Sequence, residues 1–238
     1  MSEHRDAFGQ SIGFPVRGWT ARPWPPATPM AGRYCRVEPL DLDRHARQLH
    51  DANSLDSGRN WTYLSADGFR DFEAYREWLD RVSATQDPMF HAIVGGESSE
   101  AVGVAAYLRI DPANGTIEVG HLNFSPRLQR TSAATEAMFL MMRRAFDELG
   151  YRRYEWKCDA LNLPSRRAAE RLGFRFEGVF RQALVYKGRN RDTAWFSIID
   201  AEWPALRTAY ERWLALDNFD ADGRQRQQLG ALIADARR

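Results

Sequence analysis

From Pro126 to Thr135 the chain reads PRLQRTSAAT, a polar, basic loop that runs into a stretch of helix formers. A loop that opens a helix aims several unpaired backbone N–H groups at one point, and the helix dipole adds partial positive charge there. Such a mouth binds anions and suits a pyrophosphate. Gln129, Arg130, Thr131 and Ser132 surround it with side-chain donors. A surface loop with a capped helix is the plain alternative. Just upstream, Glu118 and His121 lie in a β-rich run, TIEVGHLNF. His121 titrates near neutrality and could relay a proton. Glu118 could do the same or hold a cation. Regular alternation puts the two on opposite faces of a strand. Downstream, Asn162 and Ser165 flank Pro164. On residue type alone they read as a helix cap and a first-turn residue.

These groups need elements to hold them. Residues 116–124 read as a strand, stopped at Ser125-Pro126 because proline has no ladder donor. Residues 133–149 read as a long helix closed by Gly150. A strand at 151–158 follows, then a short helix at 164–172 with proline at its start and Gly173 after its end. Upstream, 32–40 (GRYCRVEPL) alternates like a strand. Asp41 and Asp43 open a helix carrying Leu42, Ala46, Leu49 and Ala52 at helical spacing. After a polar loop at 53–60, the next helix is expected to start within 65–69. Its stripe of Phe69, Phe72, Tyr75, Trp78, Leu79 and Val82 reads as core. Strands at 89–94 and 101–110 flank a turn at 95–100. The segment DPANG at 111–115 ends in the Asn-Gly pair of a hairpin, so these two strands and 116–124 form a meander. Strands at 174–187 and 191–199 make a late hairpin turning at 188–190. Residues 205–216 are amphipathic, and 224–237 are expected to form a second helix. This helical tail covers the core, meets a second copy in a homodimer, or packs on nothing. Residues 1–31 hold Gly13, Pro15, Gly18, Pro23, Pro25, Pro26 and Pro29 and are expected to be irregular. The first ten or so should be loose, with Trp19 and Trp24 laying the rest against the domain.

The run from 116 to 178 resembles the core of the GNAT superfamily of N-acetyltransferases, and within it the RimJ/RimL-like branch. That family's loop is Arg or Gln, two residues, Gly, one residue, Gly or Ala, after a Pro. Here it is Pro126 followed by Gln129-Arg130-Thr131-Ser132-Ala133-Ala134, with Thr135-Glu136-Ala137 continuing as in that branch. The family's Asn-x-x-Ser, Leu-Gly-Phe and Glu-Gly stand here as Asn162, Ser165, Leu172-Gly173-Phe174 and Glu177-Gly178. The likeness covers roughly 32–205 and departs at Ser132, where the family has glycine.

The resemblance implies an α/β (α+β) fold: a mixed, twisted, mostly antiparallel sheet, helices on both faces, and a central strand pair that splays. It implies a domain at 32–205 between an arm at 1–31 and a helical extension at 206–238. It implies acetyl-CoA as donor, held by Gln129, Arg130, Thr131, Ser132, Ala133, Ala134 and Thr135. The acceptor is a primary amine of a small molecule or amino-acid conjugate, which attacks the thioester directly. A protein N-terminus and a catalytically silent CoA-binding module are the alternatives. By analogy the Phe124 backbone N–H faces the acetyl carbonyl, Asn162 bonds the pantetheine arm and Ser165 lies by the sulfur. Many members carry a tyrosine acid where this chain has Ala169, which leaves that role to Ser165. His121 or Glu118 would take the amine proton. Trp61, Tyr63 and Arg181, with Tyr186 and Trp195, are candidates for acceptor binding.

Composition sets the outer bounds. The 238 residues are 44% hydrophobic and 27% charged, with a net charge of +1. That is globular usage with material for a core, and nothing in the balance calls for nucleic acid or an anionic membrane. No run approaches the roughly 18 apolar residues of a membrane span, and the start has no signal-peptide pattern, so a cytoplasmic protein is expected. Cys35 and Cys158 read as free, buried thiols. No metal-binding cluster, P-loop or dinucleotide fingerprint is present, so no metal is expected. His91 reads as an ordinary strand residue.

Overall fold

The computed structural model describes residues 4–96 and 98–238. Residues 1–3, the start of the arm expected to be loose, and Glu97, in the expected turn at 95–100, lie outside the described residues. The arm is less irregular than its prolines suggest. Strands β1 (His4–Arg5) and β2 (Ser11–Ile12) pair as a small ribbon, and β3 (Met30–Ala31) joins the edge of the main sheet. Between them the chain is held by side chains. Trp19 Nε1 donates to Ala113 O (2.7 Å), Tyr151 Oη to Pro23 O (3.2 Å), and buried Arg144 to Thr28 O and Pro29 O (2.6 and 3.1 Å). Trp24, by contrast, is 40% exposed.

The sheet then gains β4 (Cys35–Pro39), β5 (Met89–Gly95), β6 (Ala101–Asp111), β7 (Thr116–Phe124), β8 (Arg153–Asp159), β9 (Arg175–Tyr186) and β10 (Arg189–Ile199). Its eight strands run in the order β3-β4-β5-β6-β7-β8-β10-β9. Every pairing is antiparallel except that of β7 with β8. Helices cover both faces. On one lie α1 (Leu42–Asn53) and α2 (Phe72–Ser83), packed through Leu49, Tyr75 and Leu79, with Trp61 from the segment between them, onto Phe90, Val104 and Ala106. On the other lies α3 (Ser132–Arg143), buried almost all round, with α4 (Leu163–Arg171) beside it. The strand β6 (AVGVAAYLRID) is apolar nearly throughout because both of its faces are covered.

Several boundaries differ from expectation, among them the second tail helix, expected over 224–237, which forms only at Leu229–Ala236. The second helix starts at Phe72 because Asp71 caps it, accepting from Glu73 N (3.2 Å). The long helix widens to a π-turn over Arg144–Glu148, where Arg144 reaches back to the arm. The late hairpin turns tighter, at Lys187 and Gly188.

The tail packs on the body. Helix α5 (Trp203–Trp213) crosses α3, with Trp203 stacked on Phe146 (5.1 Å) and Tyr210 on Phe139 (5.3 Å). The Tyr210 hydroxyl donates to Leu172 O (2.9 Å). Helix α6 (Leu229–Ala236) buries Leu229, Leu232 and Ile233. Each such side chain contributes roughly 1.5–3 kcal/mol, which fixes the tail in place.

Candidate active site

The parallel pairing of β7 and β8 ends at Val119 with Trp156. Beyond it the strands part, and a cavity of ≈ 1440 Å³ opens between and around them. Strand β7 also carries a bulge there. Gly120 faces Ala106 and Asn123 faces Val104, so one extra residue is fitted opposite β6, and His121 takes φ 49°. The bulge changes which side chains share a face. His121 turns to the α1–α2 side, its ring 5.1 Å from that of Phe90, which belongs to the core there. Gly120, next to the Glu118 carboxylate, faces that side as well. The expected separation of Glu118 and His121 onto opposite faces is therefore corrected: the bulge cancels one step of the alternation.

At the end of β7, Ser125 N donates to Val102 O (3.2 Å). In an antiparallel ladder alternate residues point their N–H groups to opposite edges. The Phe124 N–H thus faces the edge that β8 has left. The Phe124 carbonyl is held by Asn60 Nδ2 (2.6 Å) and Gln129 Nε2 (2.7 Å), and Asn60 Nδ2 also reaches Asn123 Oδ1 (2.6 Å). Gln129 therefore spends its amide on the strand end rather than on the loop mouth.

The loop mouth is built on Arg130, at φ 62°, and on Thr131, the N-cap of α3. The Thr131 hydroxyl accepts from Ala134 N (3.1 Å) and donates to Leu128 O (2.7 Å). Among the described residues the backbone N–H groups of Arg130, Ser132 and Ala133 have no partner, and they are the donors an anion would meet. Arg130, Thr131, Ser132, Ala134 and Thr135 line the cavity. So do Arg167 and Arg171, neither of which is ion-paired among the described residues. Arg171 holds Thr135 Oγ1 (3.2 Å). The chemistry of this wall, free N–H groups and unpaired guanidinium groups, fits a pyrophosphate.

Across the gap, Asn162 caps α4, its Oδ1 accepting from Ser165 N (3.1 Å), and its NH₂ has no partner among the described residues. The Ser165 hydroxyl accepts from Trp156 Nε1 (3.0 Å), and the Cys158 thiol lines the same cavity. Burial pushes that thiol up, which keeps it protonated at neutral pH. The Glu118 carboxylate is 3% exposed and clamped by Lys157 Nζ (2.8 Å) and Arg109 (2.8 Å). Burial raises its pKa while the two cations pull it down. Burial, with the Arg109 charge behind it, lowers His121, so its imidazole is neutral at pH 7.

The expected acceptor residues divide. Tyr63 lines the cavity and donates to Leu161 O (3.2 Å). Trp195 lines it too, stacked on Phe180 (4.5 Å) with Lys157 Nζ 3.7 Å above its ring. Trp61 does not. It is 3% exposed, boxed among Phe69, Tyr75 and Trp78, and is core. Arg181 lies on the exposed strand β9 outside the cavity, and the Tyr186 hydroxyl is spent on Asp159 (2.8 Å). Sequence reasoning missed Asn60, Lys157 and Arg171. Asn60 and Lys157 carried no local signal. Arg171 had one: it stands on the same helix as Ser165, in the turn before Leu172-Gly173.

The likeness to known proteins runs through the same segments. The family described as Acetyltransferase (GNAT) domain matches residues 36–175. The crystal structure of a GCN5-related N-acetyltransferase from Brucella melitensis superposes with a TM-score of 0.90 at 49% identity, covering 92% of this chain and all of that one. The uncharacterized N-acetyltransferase p20 of Bacillus licheniformis is 26% identical over 144 residues, 59% of this chain and 80% of that protein. YdaF of Bacillus subtilis, named as a candidate ribosomal N-acetyltransferase, is 26% identical over 169 residues, 70% of this chain and 90% of that protein. The matched segment spans the parted strands β7 and β8 and the loop that opens α3, and this chain belongs to the GNAT superfamily of N-acetyltransferases.

Proposed function

We propose that the protein acetylates the primary amine of a small molecule or amino-acid conjugate, by direct attack of the amine on the thioester. The observation that carries this reading is the Phe124 N–H, which faces the edge that β8 has left, in the same cavity as the loop mouth of α3. Acetyl-CoA supplies an activated acetyl group. Everything else falls to the chain. The Arg130, Ser132 and Ala133 N–H groups hold the pyrophosphate, and the Asn162 NH₂ bonds the pantetheine amides. The Phe124 N–H meets the charge that develops on the acetyl oxygen. The Asn60–Gln129 amides fix the peptide that carries it. As the new C–N bond forms, the amine proton passes to neutral His121, directly or through water. As the C–S bond breaks, Ser165, its acceptor side already filled by Trp156, turns its hydrogen to the leaving thiolate.

A small acceptor is favoured by a tie between the late hairpin and the loop after α1, whose neighbouring residues Tyr63, Leu64 and Leu184 line the cleft. The hairpin tip is tied to the opposite loop, Lys187 Nζ donating to Trp61 O (2.7 Å) and pairing with Asp67 (3.1 Å), and Arg189 to Thr62 O (3.0 Å). A protein N-terminus, with a chain behind it, would need more room between the hairpin and that loop. The name of YdaF favours this second reading.

Calorimetric titration with acetyl-CoA tests the donor site, followed by turnover on a panel of small amines and of peptides with free N-termini. Asn162→Ser keeps a capping oxygen but removes the amide, and should weaken binding tenfold or more, about 1.4 kcal/mol. Absence of binding by the wild type would sink the reading. Binding without turnover on either panel would leave the silent module, and turnover on peptides alone would establish the second reading.

A further inference from the structure

The cavity does not end at the loop mouth of α3. Its wall continues onto the tail, well past the segment that matches the family, through Trp213, Phe219, Gly223 and Gln225. The connection is continuous. Thr135, in the first turn of α3, accepts from Arg171 (3.2 Å), and the Arg171 guanidinium sits 5.5 Å over the Trp213 ring. Trp213 Nε1 in turn donates to Gln225 Oε1 (2.8 Å). Phe219 stands edge-on to Trp213 (5.2 Å) and to Tyr34 (5.9 Å). The Phe219–Gln225 bridge closes the segment into a short loop, so these groups form a fixed surface. Lining one end of a cavity are therefore an aromatic edge, a primary amide and an unpaired guanidinium.

Coenzyme A is linear: thioester, pantetheine, pyrophosphate, then a 3′-phosphorylated adenosine. With the thioester in the splay and the pyrophosphate at the α3 mouth, the adenosine falls next along the wall. We infer that the tail residues Phe219 and Gln225, with Arg171 beneath them, receive the 3′-phosphoadenosine end of acetyl-CoA. A purine presents a flat apolar face and an edge of hydrogen-bonding nitrogens, and its phosphate suits a guanidinium. The inference rests on the pyrophosphate lying at the α3 mouth as proposed above. On this reading the C-terminal extension selects the full coenzyme over shorter thioesters.

The test is the ratio of kcat/KM for acetyl-CoA to that for S-acetylpantetheine, with 3′-dephospho-acetyl-CoA as a third donor. It is measured on the full chain, together with calorimetric titration by CoA. Gln225→Ala and Phe219→Ala should each lower the acetyl-CoA ratio by fivefold or more, and Arg171→Gln should abolish most of the preference for the 3′-phosphate. Gln225 is exposed, so its variant keeps the fold, and thermal melting of all three checks this. A ratio unchanged in the Gln225 and Phe219 variants, or a wild type that does not prefer acetyl-CoA over S-acetylpantetheine, overturns the inference. If the wild type binds no CoA, the pyrophosphate placement itself fails and takes the inference with it. That result is distinct from CoA binding that the tail variants leave untouched.

Discussion

At the scale of single residues the site divides into groups that are free and groups that are spent. His121 is free, with its imidazole kept neutral by burial and by the Arg109 charge. Glu118 is spent, clamped by two cations at 2.8 Å. The proton of the acceptor amine therefore goes to His121, and this fixes the sign of a pH profile. A lowered histidine pKa means protonation only in acid. So kcat/KM should fall below about pH 6.5 and not between about pH 7 and 8. His121→Gln should reduce kcat by about 10²-fold, in the range of general-base catalysis, and remove that acid limb. An unchanged limb in the variant would assign it to another group. Glu118→Gln should act differently, by leaving buried Lys157 short of one of its two carboxylates, and should lower stability as well as rate.

At the scale of elements, what the sequence shows depends on how far the determining contact lies along the chain. The opening of α3 and the Asn162 cap of α4 are set by neighbouring residues, and they were legible; Thr131 was read only as a donor at the loop mouth, although it caps α3. The His121 bulge depends on how β7 registers against β6, which no run of nine residues reveals. Asn60 reaches Phe124 O across 64 positions, and Trp61 looked like a wall of the cleft although its aromatic neighbours make it core. Glu136 shows the same limit. It continued a loop motif in the sequence, yet in the fold its carboxylate accepts from the backbone N–H groups of Arg33 (2.8 Å), Tyr34 (2.6 Å) and Cys35 (2.9 Å). It is 5% exposed, and a Cβ on Gly32 would collide with it. The first turn of α3 is thereby bolted to the start of β4. Glu136→Ala would strand these donors and cost about 3–5 kcal/mol, roughly 10 °C in melting temperature for a chain of this size. A variant melting within about two degrees of wild type would show that the bolt does not bear on stability. The same variant should weaken acetyl-CoA binding, since Thr135 and Ser132 stand on that turn.

At the scale of the whole molecule, the sheet is covered on both faces, so a polar side chain on its central strands has no water to turn to. His91, on β5, is fully buried against the Tyr107 ring (5.4 Å), with its Nδ1 at Met89 O (3.1 Å) and no partner for Nε2 among the described residues. Burial there holds its pKa down at about 4, with Arg144 adding to the effect. The unfolded chain binds the proton near pH 6.5. The folded pKa lies below the unfolded one, so the unfolded state takes up protons first as the solution is acidified. Stability is whole above pH 6.5 and is lost as pH falls from 6.5 toward 4, by about 3 kcal/mol from this one group. Urea unfolding at about pH 7 and about pH 4.5 measures the loss directly. His91→Gln has no titrating ring and should be less stable than wild type at neutral pH but should lose less of its stability on acidification. An equal loss in the two proteins would place the acid sensitivity elsewhere. If the difference appears, the acid limit of activity splits into two measurable parts: one set at His121 by the chemistry, and one set at His91 by a sheet closed on both sides.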